Sequence, residues 1–162
     1  MSRRHRAEKR QIEPDPVFNS ITIEKFINKV MQDGKKSIAR RIVYDSLQAF
    51  AKKINAKDPL EAFEQAMENA MPTLEVKSRR IGGATYQVPM EIAPERRASM
   101  AMKWIILNAR QKSGRNMTEG LAMEFADCFN NQGSTIKKKD ETHRMAEANS
   151  KFHCKPFSHI TT

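Results

Sequence analysis

Cysteine is scarce in this chain, which has only Cys128 and Cys154 among 162 residues. Two unevenly placed cysteines predict neither a disulfide framework nor a ribbon-type zinc site, so we expect a reducing compartment. No apolar run approaches the roughly 18 residues of a membrane span, and we expect no membrane association. The N-terminus, MSRRHRAEKRQ, lacks the apolar core of a secretory signal, and Glu8 and Glu13 are unusual for an organellar presequence.

Acidic residues are also in short supply, with 19 Asp and Glu against 29 Lys and Arg, which gives a net charge of +10. Such a chain repels itself unless an acidic partner neutralises it. Nucleic acid is the usual partner of this kind, ahead of a membrane surface or an acidic protein. The length suggests a single domain.

The spacing of apolar residues predicts a mainly α fold. Ile23, Phe26, Ile27 and Val30 follow helical periodicity, as do similar stripes further along the chain.

Some helix ends are predicted by single residues. Asp58-Pro59 predicts the start of the third helix, Asn116 with Glu119 predicts the cap of the fifth, and Gly133 predicts the end of the fifth. The predicted architecture is a six-helix bundle with one protruding β-hairpin between helices three and four. We divide the chain into a flexible basic arm (1–19), a helical domain (20–152) with the hairpin at about 73–92, which we expect to be the nucleic-acid-binding part, and an irregular tail (153–162).

The hairpin carries the sharpest functional signal. Two runs of alternating residues flank Gly82-Gly83, which favours a tight turn. Lys77, Arg79 and Arg80 place cations beside it, and arginine forks bind phosphate in a bidentate manner. An ordinary basic turn is the alternative, but the basic arm independently favours RNA contact.

Three further basic clusters fit the same interpretation. Lys137 to Lys139 lie at the predicted start of the sixth helix, where cations oppose the helix dipole unless an external anion offsets them. A solvated charge run is an equal alternative there, and also for Lys35-Lys36. The cations of the basic arm are Arg3, Arg4, Arg6, Lys9 and Arg10.

Catalytic and metal-binding arrangements are not evident. We find no phosphate loop, nucleophile elbow or paired histidines on a helix, and so predict no enzyme and no cofactor. Cys128, His143, His153, Cys154 and His159 have no standard zinc spacing, and Cys128 falls on an apolar stripe, so we predict no metal.

Several long motifs stand out in the chain. They are PDPVF (Pro14 to Phe18), DGKKS (Asp33 to Ser37), EVKSRRIGGATYQVP (Glu75 to Pro89), the segment around Trp104, and KKKDETHRMAEAN (Lys137 to Asn149). In these motifs the sequence resembles the bacterial-type small-subunit ribosomal protein S7 family. The resemblance covers the chain from Arg3 to about Phe152, but the end, Ser150 to Pro156, departs from the family pattern.

This resemblance implies a structural ribosomal protein that binds the 3′ major domain of small-subunit rRNA and nucleates assembly of the subunit head. It implies small-subunit proteins nine and eleven as neighbours, and a hairpin near the exit-site tRNA and the mRNA path. It also implies a ribosomal location, cytoplasmic or organellar. The rRNA-binding residues that it implies are the five arm cations, Lys35, Lys36, Lys112, Arg115, Met117, Lys137, Lys138, Lys139 and Arg144.

Two other functions compete with this one. A free helix-turn-helix regulator would concentrate its charge on one recognition helix, whereas the charge here is dispersed. An RNA-modifying enzyme would need a catalytic or cofactor cluster. Repression of its own mRNA, known for some members of the family, stays open.

Overall fold

A computed structural model describes residues 10–81 and 83–149. In these ranges the chain forms six helices and one two-stranded antiparallel hairpin, which confirms the predicted fold class. The helices in these ranges include no candidate membrane-spanning segment. The elements are α1 (Ile21–Val30), α2 (Lys36–Ile54), α3 (Pro59–Ala70), β1 (Leu74–Ile81), β2 (Ala84–Glu91), α4 (Pro94–Gln111), α5 (Met117–Phe129) and α6 (Gly133–Ala148).

The centre of the bundle is α5, which packs against α2, α3, α4 and α6. Phe125 on α5 is fully buried, and its ring centroid lies 5.3 Å from that of Phe63 and 5.4 Å from that of Phe26. Phe50 of α2 approaches the same ring at 5.8 Å. Tilted and edge-on rings at these distances are the favoured geometry for aromatic pairs, so four helices share one aromatic core.

A small residue allows α4 and α5 to pack closely. A Cβ atom added at Gly120 would lie 2.8 Å from the backbone oxygen of Ala109. The two backbones therefore meet at a distance that favours glycine.

Local signals predicted some helix ends better than others. Asp58 accepts a hydrogen bond from the Leu60 amide at 2.9 Å, with Pro59 as the first helical residue, as expected. Asn116 precedes α5 but makes no side-chain capping bond. Gly133 was expected to end α5, yet with φ of +90° it opens α6 instead.

The hairpin pairs Leu74 with Glu91 at its base and Ile81 with Ala84 at its tip. Val88 and Ile92 are buried near the body, whereas Arg79 and Arg80 are exposed. The Thr73 amide donates to Nε2 of His143 at 3.0 Å, which ties the base of the hairpin to α6. The tip thus projects from an anchored base.

Candidate nucleic-acid interface

The predicted RNA-binding cations fall into two groups, which differ in whether the side chain already forms a hydrogen bond or ion pair within the protein. Among the described residues, one group is exposed to solvent, and its side chains form no hydrogen bond or ion pair. Its members are Arg10, Lys35, Arg79, Arg80, Lys137 and Arg144. Lys138 is also exposed, with its ammonium 6.0 Å from the centre of the Trp104 ring.

The second group has partners within the protein. Lys36 forms an ion pair with Glu24, and Lys77 forms one with Glu75 at 3.1 Å. Lys139, in the second turn of α6 rather than at its start, donates to the backbone oxygen of Asn69 at 2.6 Å. This bond satisfies a carbonyl at the C-terminus of α3.

Lys112 belongs to the most enclosed polar cluster of the described residues. Its ammonium lies 3.1 Å from Glu124 Oε1 and 3.1 Å from Asp127 Oδ2. The Glu124 side chain is only 1% exposed, and Thr135 donates its hydroxyl to Oε2 at 2.9 Å. Asn108 in turn donates to the Thr135 hydroxyl oxygen at 2.9 Å. The cluster joins the end of α4, α5 and α6, so Lys112 already neutralises a buried carboxylate.

Arg115 and Met117 lie beside the α4–α5 connection. Arg115 is exposed and contacts the sulfur atom of Met123 through its guanidinium. Met117 lines a cleft of about 380 Å³ together with Lys35, Ile38 and Arg110. The fold therefore brings the predicted residues Lys35 and Met117 to one place, although they are far apart in the chain.

A second cleft, here named the arm cleft, was not predicted. It measures about 720 Å³ and lies between the described end of the basic arm, α1 and α4. Arg10, Lys25 and Lys29 line it, and Glu95 is its only acidic side chain among the described residues. The sequence does carry one indication of this cleft: Lys25 and Lys29 are four residues apart and therefore lie on the same, polar face of α1. The prediction for this helix rested on its apolar face and not on these lysines.

Cys128, one of the residues considered as a metal ligand, lies in the hydrophobic core. Burial raises the pKa of the Cys128 thiol to about 12, with the nearby Glu124 carboxylate adding to the effect. Cys128 is thus an inert core residue at neutral pH. Within the described ranges, no group of three or more His, Cys, Asp and Glu could hold a metal ion.

Part of the predicted site lies outside the described residues. This part comprises Arg3, Arg4, Arg6, Lys9 and Gly82, together with His153, Cys154, His159 and the rest of the predicted 153–162 tail. Gly83 is described, and its φ of +90° fits the glycine turn that we predicted.

Comparison with known proteins gives a consistent result. The family described as ribosomal protein S7p/S5e matches residues 2–150. The chain is 67% identical to the small ribosomal subunit protein uS7 of Protochlamydia amoebophila over 152 residues, which cover 94% of this chain and 97% of that protein. Proteins of the same name from Chlamydia caviae and Chlamydia trachomatis serovar D are 64% and 63% identical over the same shares.

Proposed function

We propose that the chain binds the 3′ major domain of small-subunit rRNA directly and nucleates assembly of the head, because it belongs to the ribosomal protein S7p/S5e family and is a structural, non-enzymatic constituent of the small ribosomal subunit. The family assignment confirms the predicted ribosomal role in the cytoplasm and the prediction that the protein is not an enzyme. The rRNA contacts and the division into arm, body and tail stay predictions.

One observation carries the proposal: the exposed cations without internal partners are dispersed over several elements. They occur on the arm, the α1–α2 connection, the hairpin and α6. A dispersed set of this kind fits the phosphates of a folded RNA, whereas reading base edges in a groove would require a compact set on one element. The arm cleft adds Lys25 and Lys29 to the predicted set, and the cleft that Lys35 and Met117 line adds Arg110.

The test is a salt titration of binding to a 3′-domain rRNA fragment. Each phosphate neutralised by the protein releases counterions, so log affinity should fall linearly with log salt. Removing residues 1–10 deletes five cations, and we expect weaker binding and a shallower slope with the helical fold unchanged. Identical affinity and slope for the truncated and full chains would remove the arm from the interface.

A matched control tests whether position matters as well as charge. Lys52 and Lys53 are exposed at the far end of α2, about 25 Å along the helix from Lys36. Lys52→Ala with Lys53→Ala removes the same charge as Arg79→Ala with Arg80→Ala. If both pairs change the salt slope equally, binding depends on net charge alone and the proposed interface is wrong.

We further propose that the hairpin tip lies near the exit-site tRNA and the mRNA path, and that small-subunit proteins nine and eleven are neighbours. The projecting tip with exposed Arg79 and Arg80 supports the first part. In reconstituted subunits, Arg79→Ala with Arg80→Ala should weaken tRNA retention at the exit site more than it weakens assembly. A loss of assembly with unchanged tRNA retention would contradict this placement.

A further inference from the structure

Asp15 organises the base of the basic arm. It is a charged residue that is only 1% exposed. Its Oδ2 accepts hydrogen bonds from the amides of Val17 and Phe18, both at 3.2 Å, and its backbone oxygen accepts the Asn19 amide at 2.8 Å. A buried carboxylate with several backbone donors fixes the turn in which it lies.

Tyr44 of α2 holds this turn against the body. Its hydroxyl donates to Asp15 Oδ1 at 2.5 Å, and its ring packs edge-on against Phe18 with centroids 5.8 Å apart. Desolvation, and next the hydrogen bond to Asp15, raise the pKa of Tyr44 to about 12, so the hydroxyl remains a donor at neutral pH. This contact joins the arm to α2 across 29 positions of sequence.

The turn determines where the preceding residues go. Residues 10–12 form one wall of the arm cleft, where Arg10 shares the lining with Lys25 and Lys29. Three cations and one carboxylate, Glu95, leave the cleft with a net positive charge. Like charges gathered in this way repel unless an anion such as RNA phosphate neutralises them, so a contact elsewhere must hold the arm in place.

We propose that Tyr44 is a positioning residue for RNA binding. Its hydrogen bond to Asp15 fixes the turn before α1, so that Arg10 lies beside Lys25 and Lys29 in the arm cleft. Tyr44 itself does not contact the RNA. The inference rests on the proposed function, in which the arm cations bind rRNA phosphates. Without the hydrogen bond between Tyr44 and Asp15, the described end of the arm would keep the charge of Arg10 but lose its fixed position, and the cost of ordering it would then fall on the binding step.

Four proteins test this inference: the full chain and the chain without residues 1–10, each with and without Tyr44→Phe. The substitution removes one hydroxyl and keeps the ring. A hydrogen bond to a charged group is worth about a tenfold change in an equilibrium constant, so we expect the full chain to lose affinity for the 3′-domain fragment by up to about tenfold. In the truncated chain the same substitution should not change the affinity, because the arm cations that Tyr44 positions have been removed.

The outcomes separate this inference from the proposed function. An equal loss of affinity in both backgrounds means that Tyr44 acts through the body of the protein. No loss of affinity in the full chain means that the Tyr44–Asp15 hydrogen bond is dispensable for binding. Either result overturns this inference and leaves the proposed function standing. Truncation without any effect on affinity or slope overturns the arm's role in the proposed function, and this inference with it.

Two variants control for folding. Tyr86→Phe removes the hydroxyl of the chain's other tyrosine, on the hairpin, and should affect both backgrounds equally. If Tyr44→Phe fails to give the helical circular-dichroism spectrum, Asp15→Asn replaces it in the same scheme, because the amide oxygen can still accept the turn's backbone bonds. A loss that persists in the truncated Asp15→Asn protein would overturn the inference equally.

Discussion

Lys112 offers the clearest separation of a structural cation from an RNA-binding one. Substitution by methionine keeps most of the volume but leaves Glu124, 1% exposed, without its positive partner. Removing one member of a buried ion pair costs about 3–5 kcal/mol, since the remaining charge stays desolvated. The Lys112 side chain is 23% exposed, so we expect a loss near 3 kcal/mol in the free energy of unfolding.

The measurement is thermal and urea unfolding of the isolated protein. For a chain of this size, 3 kcal/mol corresponds to a drop in Tm of about 6–12 °C. The control is Lys137→Met, which changes an exposed lysine with no partner among the described residues and should cost under about 0.5 kcal/mol. Adding Glu124→Gln to Lys112→Met removes the buried charge while the amide oxygen still accepts the Thr135 hydroxyl, and should recover at least about 1 kcal/mol.

Two results would refute this reasoning. If Lys112→Met costs no more than Lys137→Met, water screens the pair and the cluster adds nothing. If the double variant is less stable than Lys112→Met alone, Glu124 is not an uncompensated charge. RNA affinity measured below both unfolding transitions gives the complementary result: Lys137→Met should weaken binding, and Lys112→Met should not.

Four further predictions concern two glycines, Cys128 and Tyr44. Gly83→Val should shift the hairpin amide signals in NMR spectra and leave the helical signals in place, because valine resists the positive φ there; unchanged hairpin signals would refute the turn. Gly120→Ala should lower Tm, because its methyl carbon would lie 2.8 Å from a backbone oxygen of α4, and an unchanged Tm would show that the helices can separate freely. In a Cys154→Ser background, Cys128 should resist thiol reagents at pH 8. Folding raises the pKa of Cys128 from 9.0 and of Tyr44 from 10.0 to about 12, so the stability that these two groups contribute should be intact below about pH 9 and fall progressively between pH 9 and pH 12. A urea-unfolding midpoint that stays flat between pH 9 and pH 12 would contradict both shifts.

The sequence predicted those features that short stretches of chain determine. The order of helices follows from apolar periodicity, and the Asp58–Pro59 start follows from the chemistry of adjacent residues. Gly133 was misassigned because a glycine with positive φ between two helices serves either as an end or as a beginning. Local chemistry alone does not distinguish the two.

The sequence could not show which cations already have partners within the protein, because those partners are reached through tertiary contacts. Lys139 caps a carbonyl that is 70 positions away, and Lys112 reaches a carboxylate that is 15 positions away. In the sequence both resemble Lys137, which has no partner among the described residues. The arm cleft escaped notice for the same reason, since Arg10 and Lys29 meet only in the folded protein.

The central place of α5 has a consequence for synthesis of the chain. A nascent polypeptide emerges from its N-terminus, so Phe26, Phe50 and Phe63 appear before the ring of Phe125 against which they pack. Phe26 and Phe63 also pack against each other, with centroids 5.7 Å apart, but the central ring of Phe125 is missing until residues 117–129 have left the exit tunnel. We therefore expect these phenylalanines to be more accessible to chaperones before that point than in the folded protein. Fragments that end before Met117 should therefore aggregate, and the native bundle should form late, in a single step near completion of translation.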